Sequence, residues 1–218
     1  MNKRTEDLIG ALSEGVVRVA ALPPPAARAG RWLAFAVVLV GALVLWHGPR
    51  DDLAARFSET SFYVPWAASV AVAVAAAVAA FAMTVPGSPR WIAALPAAPL
   101  ALWLGMLGTG CVRELANRGT AVLGTSYGCL EFIGLTSLPL GIVLIWMLRR
   151  GAPLMPAGTL AMGALAAASA GSAGLELFHH LQTSTMVLIW HLGTVALVAL
   201  VGLATGPRAL ALPSVNRP

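Results

Sequence analysis

The residues of this chain that could carry acid–base, redox or metal chemistry are few. They are His47, Cys111, Cys129, Glu131, Glu176, His179, His180 and His191. Cys, His and carboxylate together suit zinc or a softer transition metal. Glu176, His179 and His180 fall at i, i+3 and i+4, so a helix through them would set Glu176 on one face with either histidine. A turn over 181–186 would return His191 to the same place. No fixed metal motif is present, and histidines at a helix–water boundary also serve as plain hydrogen-bonding groups, so the chemistry here is metal sensing or interfacial polarity. Cys111 and Cys129 would close a 19-residue loop, and a bridge between them would stabilise it by about 3 kcal/mol on the chain-entropy view. That pair reads as a structural staple, as two separate thiols, or as a redox switch that fixes and releases the ends of two helices. The absence of C-x-x-C disfavours a thioredoxin-type catalytic pair. Nucleophile motifs, phosphate loops and haem-attachment sequences are absent, so no catalytic residue is assigned.

What must position these residues follows from composition. Of 218 residues, 58% are hydrophobic and 11% charged, and mean hydropathy is +0.81. A soluble domain carries about 25% charged residues, so a soluble enzyme, a disordered chain and a disulfide-rich secreted module are all excluded. Stretches free of Asp, Glu, Lys and Arg run over 32–49, 60–89, 91–112, 132–148, 151–175 and 177–207. Crossing the hydrocarbon core takes about 20 apolar residues as a helix. No stretch holds two spans and a turn, and alternating strands are missing. The fold class is therefore all-α: an integral membrane bundle of six transmembrane helices in a lipid bilayer, with a short cytoplasmic N-terminal amphipathic helix. Residues 1–30 form the leader, 31–207 the membrane domain and 208–218 a cytoplasmic tail. The leader, with Glu6, Asp7, Glu14 and Pro23–Pro25, does not read as a signal peptide. Trp32 and Trp46 bracket the first span as interfacial anchors.

Six spans put both termini on one side. With them in the cytoplasm, ten Lys and Arg lie inside and four outside, which satisfies the positive-inside rule. The net charge of +5 and a pI near 10.2 report that topology, with no direct nucleic-acid contact implied. All the reactive side chains then fall on the outer half of the bundle. No charged residue lies near the middle of any span, which weakens a transporter reading.

The leader carries Leu8, Ile9, Leu12 and Val16 at helical spacing, behind Thr5-Glu6-Asp7 as a cap with acids in the first turn. So short a helix needs a surface against which to bury its apolar side. The surface is either the membrane or a soluble partner. Mixed charge and the lack of aromatics make it a weak lipid anchor, whereas four aliphatic side chains suit a helix-in-groove ligand.

The order of landmarks resembles the NrsF family of bacterial membrane anti-sigma factors. The resemblance rests on Glu6-Asp7-Leu8-Ile9, Gly48-Pro49-Arg50-Asp51-Asp52-Leu53, Val85-Pro86-Gly87, Leu102-Trp103-Leu104, Gly108-Thr109-Gly110-Cys111, Cys129, Ser137-Leu138-Pro139, Met147 through Leu154, Leu177-Phe178-His179 and Met186 through His191. It implies a multi-pass protein of the bacterial inner membrane. Such a protein holds an extracytoplasmic-function sigma factor inactive and releases it under stress at the outer face. On that reading the partner is the sigma factor, Leu8, Ile9, Leu12 and Val16 bind it, and Cys111 and Cys129 sense a redox change or a transition-metal ion that acts as signal; no cofactor is resident. The competing class is a membrane thiol oxidoreductase using the same two cysteines.

Overall fold

The structure is a computed structural model that describes residues 3–14, 21–119, 127–179 and 184–211. The described residues are helical, with no strand among them. Among the described residues six helices are long and apolar enough to cross a membrane, as the charge-free stretches predict. Five of them are α2 (Pro25–His47), α4 (Thr60–Ala82), α5 (Ala97–Arg118, preceded by a 3-10 turn at Arg90–Ala94), α6 (Tyr127–Leu148) and α7 (Pro156–Leu175). In the last span a single turn, α8 (Ser184–Met186), runs through a π-helical segment (Val187–Leu192) into α9 (Gly193–Ala209). Outside the spans lie α1 (Lys3–Glu14) in the leader and the short α3 (Leu53–Phe57).

Local sequence sets most of these ends. Pro25 and Pro156 occupy first-turn positions of α2 and α7, where a missing N–H costs nothing and a fixed φ favours the helix. Gly48 ends α2 at φ +81°, a conformation that other residues rarely adopt. Because α2 begins at Pro25, Arg28 lies within the helix. Its guanidinium is buried under Phe81 and donates to the Thr84 hydroxyl at 3.0 Å.

The two alanine-rich spans are the inner ones. Over their most apolar stretches α7 is 78% buried and α4 56%, against 17–33% for the other four. Without a hydrophobic drive between helices in lipid, close backbone approach supplies the packing, and small residues permit it. The α7–α9 contact shows how. Gly202 and Gly206, four residues apart, lie on the Leu160 and Pro156 carbonyls of α7, and a Cβ at either position would collide with backbone. Two indoles add hydrogen bonds between helices, one joining the outer pair α2 and α6 and the other the two inner spans α4 and α7. Trp32 Nε1 donates to the Leu140 carbonyl at 3.0 Å and Trp66 Nε1 to that of Ala173 at 3.2 Å. Trp32 is thus not an interfacial anchor: it has no exposed surface, while Trp46 is 86% exposed. An indole N–H needs an acceptor when buried.

The leader stands apart. α1 has no buried residue, and Leu8, Ile9 and Leu12 are 58%, 55% and 66% exposed. Val16 lies outside the described residues.

Candidate functional site

Since six spans return the chain to its starting side, the links α2–α4, α5–α6 and α7–α8 share the end of the bundle opposite the termini. His47, Cys111, Cys129, Glu176, His179 and His191 all fall at that distal end. His180 lies outside the described residues.

The α2–α4 link is anchored by Arg50, which is 4% exposed. Its backbone N–H donates to the Leu177 carbonyl at 3.1 Å and its guanidinium to the His179 carbonyl at 3.2 Å. The same guanidinium forks onto both carboxylate oxygens of Asp52, one at 2.9 Å, and lies over the Phe62 ring. Asp52 also accepts from Arg56 at 3.3 Å, and Arg56 donates onward to Glu59 at 3.0 Å. Hydrogen bonding from Arg50 holds the Asp52 carboxyl down at about 2, below the usual carboxylate range. This network joins the first and third distal links, and its Arg50 and Asp52 appear in the sequence only within the Gly48–Leu53 landmark, without a chemical role. Nearby, the His47 ring stacks on Phe178 with centroids 4.7 Å apart, and Phe132 meets both edge-on.

The expected helical face of Glu176, His179 and His180 does not form. α7 stops at Leu175, and Glu176 and His179 follow in a turn. Glu176 caps the helix end instead, its N–H donating to the Ser172 carbonyl at 3.2 Å. The structure does bring His191 back to Glu176. The predicted turn over 181–186 is shorter, because the last span already begins at Ser184. His191, fully buried in the π-helical segment, has its Nδ1 2.9 Å from Ser172 Oγ and 3.8 Å from Glu176 Oε1. Both partners approach the same ring nitrogen, so this is no nucleophile–base–acid relay, which needs them on opposite nitrogens. His191 Nε2 and Glu176 Oε1 have no hydrogen-bond partner among the described residues. Burial pushes the Glu176 carboxyl up to about 8, so it holds its proton at neutral pH. Among the described residues no group of three or more His, Cys, Asp or Glu side chains is assembled that could hold a metal ion.

The cysteines sit on different helices and are not bridged to one another. The loop expected over 113–128 is shorter, because α5 continues through Arg118 and α6 starts at Tyr127. Cys111 is therefore a mid-helix residue, half-buried, whereas Cys129 has no exposed surface and belongs to the hydrophobic core.

One residue of this face had no signal in the sequence. Glu114, one helical turn beyond Cys111, accepts from the Ser184 N–H at 2.8 Å, the Thr185 N–H at 3.0 Å and the Thr185 hydroxyl at 2.7 Å. It caps the start of the last span from another helix, meeting orphan first-turn donors across 70 residues of chain. Just before it, Gly110 packs so closely on Ser184 that any side chain there would collide with it. A cavity of about 310 Å³ opens beside this junction, lined by Arg50, Arg56, Arg113, Glu114, Glu176 and Ser184 among others.

The chain matches the family described as NrsF, negative regulator of sigma F, over residues 12–211. No curated protein and no solved structure matches it.

Proposed function

This chain belongs to the NrsF family, the negative regulators of sigma F, and from that premise we propose that it is an anti-sigma factor of the bacterial inner membrane with both termini in the cytoplasm. It holds an extracytoplasmic-function sigma factor on α1 and releases it when a redox change or metal capture acts near Cys111 and Cys129 on the periplasmic face.

The observation that carries the reading is the state of the leader. A 12-residue helix offers Leu8, Ile9 and Leu12 on its surface and buries none of them on its own bundle. A helix of that length in water gains its stability from a partner that covers its apolar face. Burying three such side chains is worth about 1.5–3 kcal/mol each before ordering costs of about 2–5 kcal/mol.

The sensing half draws on Cys111, Gly110 and Glu114 lying within one turn of α5, with Gly110 and Glu114 gripping the first turn of the last span. A change at Cys111 that moves this turn alters the hold on Ser184 and Thr185, and the last span carries the change to the end where the leader emerges. To act as a switch, the signal must favour one bundle state over the other by a few kcal/mol.

The oxidoreductase alternative asks Cys129 to meet a substrate in every cycle, and its side chain has no exposed surface. The test is capture of sigma factors by the full-length protein in detergent, beside a variant with Leu8, Ile9 and Leu12 changed to Asp. Capture by the native chain alone supports the reading. Equal capture by both removes α1 as the binding element, and thiol turnover by the purified protein with no capture would favour the enzyme.

A further inference from the structure

The distal cavity has the size of a small-metabolite site, and one of its cations has no ion-pair partner. Arg50 is committed to Asp52 and the His179 carbonyl. Arg56 is divided between Asp52 and Glu59. Both oxygens of Glu114 are taken by Ser184 and Thr185. Arg113, exposed at the rim, pairs with none of the described residues. Within the wall, Glu176 is 2% exposed and its Oε1 has no hydrogen-bond donor. An unpaired guanidinium and a buried carboxyl that no hydrogen-bond donor reaches thus line one half-open cavity.

We propose that this cavity binds a small organic oxyanion, a carboxylate or phosphate held by Arg113 with a hydroxyl on the same molecule meeting Glu176. The guanidinium fork matches either oxyanion in a two-point contact, and the ligand hydroxyl supplies the hydrogen bond that Glu176 lacks. Its raised affinity for its own proton keeps Glu176 from repelling the anion at neutral pH. The junction of Gly110 and Glu114 with Ser184 borders the same cavity, so a bound ligand rests on the contact between α5 and the last span.

The membrane surface and the aqueous phase both offer this chemistry, as a lipid phosphate or as a free hydroxy acid. The probes are therefore malate, succinate and inorganic phosphate, titrated at constant ionic strength into the full-length protein in a neutral maltoside detergent. Thermal unfolding is followed by tryptophan fluorescence. Malate and phosphate are expected to raise the unfolding midpoint saturably, with malate acting below the concentration that succinate requires. Arg113→Ala should shift the titrations by about tenfold or more, and Arg113→Lys by less, since it keeps charge and loses the fork. Arg90→Ala, which removes one charge at the opposite end, should titrate like the native protein. Glu176→Gln should keep the preference for malate and Glu176→Leu should abolish it. In phosphatidylcholine nanodiscs, an Arg113-dependent rise on adding phosphatidylglycerol that also blocks malate assigns the oxyanion to the headgroup. A malate response undiminished there assigns it to solution. No saturable response to malate or phosphate, or one unchanged by Arg113→Ala, overturns the site. No sigma factor takes part, so the outcome is independent of the regulatory reading.

Discussion

Glu114 and Thr185 form a two-point contact between α5 and the last span: one carboxylate oxygen accepts both the Thr185 N–H, at 3.0 Å, and its hydroxyl, at 2.7 Å. The other oxygen accepts from Ser184. A helix start in this position leaves its first N–H groups without intrahelical partners, and a capping residue within the chain segment itself would ordinarily meet them. Here the cap comes from a neighbouring span, so the end of one helix and the start of another are made to move together.

Replacing that carboxylate therefore tests the coupling directly. Glu114→Ala should cost about 1.5–3 kcal/mol, the range for hydrogen bonds to a charged group, and Glu114→Gln should recover part of it. Thermal unfolding in detergent measures the loss, and backbone hydrogen exchange at Ser184 and Thr185 locates it. Exchange that rises evenly over the whole bundle would contradict a local cap.

The α7–α9 crossing makes a second prediction. A side chain at Gly206 meets the Pro156 carbonyl and Ala157 backbone, which cannot rotate away. Gly206→Leu should lower stability by about 3 kcal/mol or more, the upper range for overpacking. Gly134→Ala faces open space and should leave stability level or raise it by about 0.5–1 kcal/mol, as expected for removing a helix-interior glycine. Parallel unfolding curves of the two variants decide this.

Leader substitutions should separate binding from folding. Changing Leu8, Ile9 and Leu12 to Asp removes no buried contact, so unfolding of the bundle should be unaltered. Capture of the sigma factor should fall at least about 100-fold, the factor that follows from losing about 3 kcal/mol of apolar burial. A loss of bundle stability in this variant would place α1 against the membrane domain.

Thiol labelling should distinguish the cysteines. Cys111 is half-buried and Cys129 fully buried, so a maleimide should modify Cys111 at least about tenfold faster in the folded protein, access being the controlling difference. Mass spectrometry of partially labelled protein reads the ratio. Equal rates would mean that the helix ends around Cys129 open readily.

The Arg50–Asp52 pair predicts a pH dependence with a definite sign. Asp52 is depressed to about 2 in the folded protein, below its unfolded value of about 3.9. Its contribution is therefore fully present above about pH 4 and is lost as pH falls toward 2. Asp52→Asn should lower the unfolding midpoint equally at pH 5 and pH 7, and the difference should close near pH 2. A difference that changes between pH 5 and pH 7 would assign the effect to another group.

Some of this architecture was legible without coordinates because the bilayer imposes simple rules. Spans must be about 20 residues of apolar helix, their backbone must satisfy itself, and charges must stay in the links. Trp91–Val112 and Leu177–Pro207 were recognisable for those reasons, as was the distal grouping of His47, Cys111, Cys129, Glu176 and His191, which follows from span parity. The alanine-rich composition of 71–80 and 161–173 likewise marked the helices that pack most closely. The spacing of Leu8, Ile9 and Leu12 was enough to expect a leader helix, and one forms over Lys3–Glu14.

Only the tertiary structure decided how those side chains meet. Glu176 and His179 carry helical spacing, yet the helix ends at Leu175 and both residues follow in a turn. Trp32 looked interfacial by its place in the sequence, and its indole reaches the Leu140 carbonyl inside the bundle. Glu114 had no local signature at all, since its three donors come from 70 and 71 residues away. A bilayer dictates how long and how apolar a helix must be; the partner of a buried polar group is set by which helices lie side by side, and that is a property of the packed chain.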